Sequence, residues 1–185
     1  MRLSLGSDTT SKITLGLDIS TSCTGACCLD ANGNVLLITP IVLSKCRTFT
    51  EKCDELKTQL SVIAKEHRVT EIFIEQNLSS FRRGLSSAHT INTLARFNGA
   101  ADLLAYQVFG VAPVSLNVTN ARNHLKIKMN HKDKTTTTKQ KVFAWVEQCI
   151  SVDWPRKKTG EIKEICFDMA DAYVIAKAGL MGCKE

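Results

Sequence analysis

A chain of 185 residues is long enough to form one domain with a substantial hydrophobic core. Hydrophobic residues make up 44% of it and charged residues 23%, as in ordinary globular proteins. No apolar run reaches the roughly 18 residues of a membrane helix, so we expect no membrane association. Residues 1–12 form a polar lead-in without the apolar segment of a signal peptide, which predicts a cytoplasmic protein. Residues 13–185 then form a single domain.

The first elements predict a three-stranded antiparallel meander. Residues 13–19 alternate between large apolar side chains and small or polar ones, which is typical of a strand. Residues 24–30 predict a second strand and residues 35–43 a third. Between them, Asn32-Gly33 is a strong hairpin signal.

Helices alternate with two further strands in the rest of the chain. Cys53, Leu56, Leu60 and Ile63 keep a helical spacing, with Thr50 as the expected N-cap. The later predictions are a strand over 71–76, a long helix over 87–109 closed by Gly110, a strand over 112–116, a short helix capped by Thr119, and helices over 138–150 and 168–181. The order β-β-β-α-β-α-β-α-α-α predicts an α/β fold with a mixed sheet flanked by helices.

Four carboxylates stand out against this pattern. Asp18 and Glu75 each end an apolar strand, where an unpaired charge is costly unless it is paired or binds a metal. Asp168 and Asp171 lie three residues apart and share a helix face, where their charges repel unless a cation lies between them. Together the four could hold two Mg²⁺ ions, because hard cations prefer oxygen ligands. Two metals about 4 Å apart can clamp a phosphodiester during its hydrolysis.

The net charge of +6 is unevenly distributed. Residues 122–141 contain seven lysines or arginines and one acid, which is typical either of a contact surface for a nucleic-acid backbone or of a solvated loop. Arg156, Lys157 and Lys158 form a second cluster. The candidate DNA-binding residues of the first segment are Arg122, Lys126, Lys128, Lys132, Lys134 and Lys139.

Three motifs, in order and at matching separations, carry a resemblance to a known family. They are the segments L-G-L-D-I-S at 15–20, F-I-E-Q at 73–76 and D-M-A-D-A at 168–172. With them the chain resembles RuvC-type Holliday junction resolvases of the RNase H-like superfamily, over nearly the whole of residues 13–179. The Thr135–Thr138 run and the abundant cysteines favour a phage-encoded relative, acting in a bacterial or phage-infected cytoplasm.

The resemblance implies a homodimeric, Mg²⁺-dependent endonuclease that nicks two strands of a four-way DNA junction symmetrically. Asp18, Glu75, Asp168 and Asp171 would be its catalytic metal ligands, with two ions per site and Mn²⁺ as a substitute. The products would carry 5′-phosphate and 3′-hydroxyl ends. The apolar residues of the long predicted helix would supply part of the dimer interface, unless that face is entirely core: Ile91, Leu94, Leu103 and Leu104.

The loop that follows Glu75 departs from the family pattern. Bacterial relatives carry an aromatic wedge three residues after that glutamate, where this chain has Leu78, and Phe81 lies slightly further on. We expect the loop to enter the junction centre, with Leu78 or Phe81 between bases and Arg82 and Arg83 on phosphates. The alternative is that Phe81 packs against the long helix.

Other functions remain open at the level of sequence. A nuclease of the same superfamily could act on flaps, forks, single strands or structured RNA, because carboxylate chemistry does not select the substrate. Actin-like ATPases and sugar kinases share a similar first strand, but they need two such domains. A DNA-binding module without activity gains nothing from four acids near phosphate.

Eight cysteines show no C-x-x-C pair and no zinc-ligand spacing. We expect buried, reduced thiols in a cytosolic protein.

Overall fold

The computed structural model describes residues 12–76, 88–129 and 135–183. Its elements follow the predicted order without exception. The strands are β1 (Thr14–Asp18), β2 (Cys23–Leu29), β3 (Val35–Val42), β4 (Glu71–Glu75) and β5 (Val114–Leu116). The helices are α1 (Phe49–Glu66), α2 (Ala88–Phe109), α3 (Val118–His124), α4 (Thr138–Cys149) and α5 (Ile165–Leu180).

The strands form one mixed sheet in the order β3-β2-β1-β4-β5. The pairs β1–β2 and β2–β3 are antiparallel, while β1–β4 and β4–β5 are parallel. The predicted meander and parallel strands are therefore confirmed. In the hairpin between β2 and β3, Gly33 has φ of 84°, a conformation that glycine adopts without strain.

Helices cover both faces of the sheet. Leu15 and Leu17 of β1 belong to a core with Leu56 of α1 and Phe97 of α2. The opposite core is built around α5, with α4 and Trp154 beside it. Because β1 is buried on both faces, a polar group on it needs a specific partner.

Three predicted helix starts were wrong. Thr48, not Thr50, caps α1, because Thr48 and Glu51 form a reciprocal capping box. Asn117, not Thr119, caps α3, since its side chain accepts hydrogen bonds from two backbone N–H groups. Helix α5 begins at Ile165, three residues before the predicted start. The C-terminal glycine of α2 is confirmed, with Gly110 at φ 69°.

The eight cysteines are free thiols. Five are buried as predicted: Cys23, Cys27, Cys28, Cys166 and Cys183. Cys149 is exposed, and Cys46 and Cys53 are half-buried, so the prediction of burial was wrong for these three. Among the described residues, no helix is long and apolar enough to cross a membrane.

Candidate active site

Asp18 is the last residue of the central strand β1, and only 7% of its surface is exposed. Burial raises the pKa of its carboxyl group well above the usual value. A hydrogen bond with Glu75 and the charges of Glu75, Asp171 and Asp168 raise it further. Burial and the neighbouring carboxylates therefore make ionisation of Asp18 unfavourable when no cation is bound.

Glu75 reaches the same place because β4 runs parallel to β1. Leu17 pairs with Ile74 in the register, so Asp18 and Glu75 follow at the same edge of the sheet. The side-chain amide of Asn98 on α2 donates to the Glu75 carbonyl oxygen over 3.2 Å. This bond ties the end of β4 to α2.

Asp168 and Asp171 come from the first half of α5, which crosses the sheet at two glycines. A Cβ atom on Gly25 would lie 2.0 Å from the Asp168 carbonyl oxygen, and one on Gly16 would lie 2.4 Å from the Ala172 carbonyl oxygen. Only glycine permits this approach, which places the α5 carboxylates against the end of β1. Asp171 is 6% exposed, and burial raises its pKa although Arg122 opposes the shift.

Two cationic side chains from the basic segment pair with the α5 carboxylates. Arg122 Nη2 lies 3.1 Å from Asp171 Oδ1, and Lys139 Nζ lies 2.8 Å from Asp168 Oδ1. Burial alone would lower the pKa of Lys139, but the hydrogen bond to Asp168 and the nearby carboxylates raise it. Both residues were predicted to contact DNA, and the structure places them inside the carboxylate cluster.

These groups line one open groove of about 730 Å³. All four predicted carboxylates border it, together with Arg122 and Lys139. The remaining lining residues are Ile19, Ser20, Ser22, Leu94, Thr137, Gln140, Glu164 and Phe167. Leu94, predicted at the dimer interface, is therefore part of the groove wall.

The sequence analysis missed Cys23, which opens β2 beside the cluster. Burial raises the pKa of its thiol to about 12, and the charge of Asp168 and a hydrogen bond to it contribute to the rise. The thiol is therefore protonated at neutral pH. The predicted second strand began at residue 24 and left Cys23 out. In the structure Asp18 pairs with Gly25, and Cys23 lies two residues further on the same face.

Of the other predicted DNA contacts, two fall within the described residues, and neither lines this groove. Lys126 and Lys128 are exposed outside it. Six predicted contacts lie outside the described residues: Leu78, Phe81, Arg82, Arg83, Lys132 and Lys134. Across residues 12–76, 88–129 and 135–183, no three His, Cys, Asp or Glu side chains are spaced to hold a metal ion as they stand.

No family model matches the chain, and no curated protein matches it in sequence. Among solved structures, it is similar to T. thermophilus RuvC in complex with Holliday junction substrate, with a TM-score of 0.65 at 16% identity over 93% of this chain and 97% of that one. The yeast mitochondrial Holliday junction resolvase Ydc2 is similar with a TM-score of 0.53 at 14% identity, over 90% of this chain and 77% of that one.

The mixed five-stranded sheet, with helices on both faces, matches the RNase H-like class of fold. Within that class, the chain has the fold of the RuvC-type resolvases, as its three motifs predicted.

Proposed function

We propose that this protein is a metal-dependent endonuclease that resolves four-way DNA junctions. The observation that carries the proposal is the meeting of four carboxylates, from β1, β4 and α5, in one open groove. The fold adds support, because a similar RuvC is known in complex with a Holliday junction substrate. Each of the four carboxylates lies in one of the three motifs that carry the resemblance to RuvC-type resolvases.

The side chains in the groove suit Mg²⁺. They offer carboxylate oxygens, which hard divalent cations prefer. Burial and mutual repulsion raise the pKa values of Asp18 and Asp171, and a cation between the carboxylates relieves that repulsion. Asp18, Glu75, Asp168 and Asp171 would hold two Mg²⁺ ions, with Mn²⁺ as a substitute. Bound metals would supply activation of water and stabilisation of charge on the phosphate.

The remaining residues of the groove position the DNA strand. Arg122 and Lys139 provide positive charge where a phosphate would enter, and Ile19, Leu94 and Phe167 form apolar parts of the groove wall. Hydrolysis would leave 5′-phosphate and 3′-hydroxyl ends. Residues 13–185 would act as one nuclease domain in the cytoplasm.

Symmetric cutting of a junction requires two active sites, so we propose a homodimer. Helix α2 contributes Phe97, Ala101 and Ala105 to the core, yet leaves Leu103 and Tyr106 more than half exposed. A second protomer that covers these two residues would remove apolar surface from water.

The decisive experiment is cleavage of a synthetic four-way junction beside flap, fork, duplex, single-stranded and structured RNA controls, in Mg²⁺, Mn²⁺ and EDTA. We expect paired nicks in the junction with either metal and none in EDTA. Asp18→Asn, Glu75→Gln, Asp168→Asn and Asp171→Asn should each lower the cleavage rate by at least about a hundredfold while junction binding persists.

Near-normal cutting by Asp18→Asn contradicts the proposed mechanism. Faster cutting of a flap, fork, single strand or RNA replaces the proposed substrate and leaves the carboxylate chemistry in place.

A further inference from the structure

Each α5 carboxylate is already engaged by a positive side chain from another helix. Arg122 lies on α3 and Lys139 on α4, 49 and 29 residues away from their partners in sequence. In both pairs the cation contacts the Oδ1 atom. An oxygen that accepts a hydrogen bond from an ammonium or guanidinium group has less electron density to offer a metal. The positive side chain and a metal ion on the same carboxylate also repel each other.

Lys139 is unfavourably placed for its own helix. It is the second residue of α4, between Thr137 and Gln140 of the capping box, where the helix dipole disfavours positive charge. The first turn of α4 contains no acidic residue that would offset this cost. The ion pair with Asp168 over 2.8 Å is the interaction that compensates.

The two pairs differ in how easily they can open. The Lys139 side chain is 56% exposed, and its flexible stem lets the ammonium group move into solvent. The Arg122 side chain is only 16% exposed, and its partner Asp171 only 8%. In the Lys139 pair, Asp168 is 15% exposed, so only the cation reaches solvent. Removing Arg122 from Asp171 would leave two buried charges unpaired, which is more costly than opening a pair whose cation is already half exposed.

We propose that Lys139 is a built-in competitor of the divalent metal: it neutralises Asp168 in the metal-free protein and must move away when a metal binds there. Arg122 stays in place on Asp171 Oδ1, and Asp171 would offer the metal its other carboxylate oxygen. While no metal is present, the ammonium group of Lys139 limits the repulsion between the carboxylates of the cluster. The exchange also frees the Lys139 ammonium at the moment when the metal arrives. This inference rests on the proposed metal-dependent function.

The competition predicts that removal of the Lys139 charge strengthens metal binding. Mn²⁺ binding is measured by titration calorimetry on the full chain without DNA, for wild type, Lys139→Met, Lys139→Arg and Lys57→Met. Lys57 is an exposed lysine of α1 outside the groove, so its variant controls for net charge. We expect Lys139→Met to bind Mn²⁺ about two- to fivefold more tightly, as an exposed ion pair implies.

Lys139→Arg and Lys57→Met should bind Mn²⁺ like wild type, and the gain in Lys139→Met should shrink in high salt, which screens the pair. A merely structural role for Lys139 predicts weaker binding on its removal, so equal or weaker binding by Lys139→Met overturns the inference and leaves the proposed function standing. Absence of Mn²⁺ binding in every variant, together with absence of cleavage, overturns both.

Discussion

At the scale of single residues, the most informative group is the Asp18 carboxyl. Its position at the end of an apolar strand made it a candidate in the sequence, and the structure adds its burial and its hydrogen bond with Glu75. A protonated Asp18 can donate a hydrogen bond to Glu75, whereas the two groups repel each other when both are ionised. The metal-free protein is therefore destabilised by ionisation at this site.

This leads to a prediction on stability. A folded-state pKa above the unfolded value means that Asp18 contributes fully to stability below about pH 4 and that this contribution is lost as the pH rises towards the folded pKa. Asp18→Asn cannot ionise and escapes the loss. In EDTA, we expect the variant to be more stable than wild type at pH 7.5, with a smaller difference at pH 4.5.

The measurement is urea unfolding at both pH values, with Asp54→Asn on the exposed side of α1 as the control. In Mg²⁺ the order should reverse, because wild type gains stability from the bound metal. A variant that is less stable than wild type in EDTA at pH 7.5 would contradict the destabilising role of this carboxylate.

At the scale of elements, the approach of α5 to the sheet decides where two of the carboxylates lie. Two glycines make this contact possible. Gly25 of β2 faces the backbone of Asp168, and Gly16 of β1 faces the backbone of Ala172. A Cβ atom on Gly99, in the middle of α2, would meet no heavy atom of the described residues within 4 Å. Substitution by alanine should therefore lower the stability of the fold at Gly25 and raise it at Gly99.

We predict that Gly25→Ala destabilises the fold by about 3 kcal/mol or more, because the new methyl group overlaps backbone that cannot move aside without shifting α5. Gly99→Ala should stabilise it by about 0.5–1 kcal/mol, since alanine favours the helix. Denaturant unfolding of the two variants checks both values. If Gly25→Ala proved harmless, α5 would have to lie further from the sheet than described.

The elements also show which parts of the structure the sequence could predict. The order of elements along the chain and the carboxylate cluster followed from alternation, from apolar strand ends and from the three motifs, which are local signals. The caps Thr48 and Asn117 were missed by two residues each, because Thr50 and Thr119 also carry a side-chain oxygen that can accept from the first backbone N–H groups of a helix. The pairing of Lys139 with Asp168 depends on how α4 packs against α5, and no local pattern encodes that packing.

At the scale of the whole molecule, the question is how two active sites are held on one junction. The exposed positions on α2 supply a specific test. Leu103→Asp and Tyr106→Asp place a charge on surface that is 54% and 52% exposed in the protomer, so neither should disturb the core. In a dimer that buries this surface, each charge would be desolvated at high cost.

We therefore predict that wild type is dimeric at micromolar concentration and that Leu103→Asp is largely monomeric while its fold is retained. Multi-angle light scattering gives the mass, and circular dichroism verifies the fold. Val62→Asp on α1, another exposed apolar position, is the control and should stay dimeric. A wild-type monomer that still cuts junctions on both strands would refute the dimer.

The position of α5 in the chain has a consequence for synthesis. Asp18 and Glu75 leave the ribosome early, whereas Asp168 and Asp171 belong to the last helix and also complete the core on one face of the sheet. A nascent chain that stalls before α5 therefore carries two of the four groove carboxylates and lacks the main helix of one sheet face. Completion of that core and completion of the carboxylate cluster thus occur in the same step of synthesis.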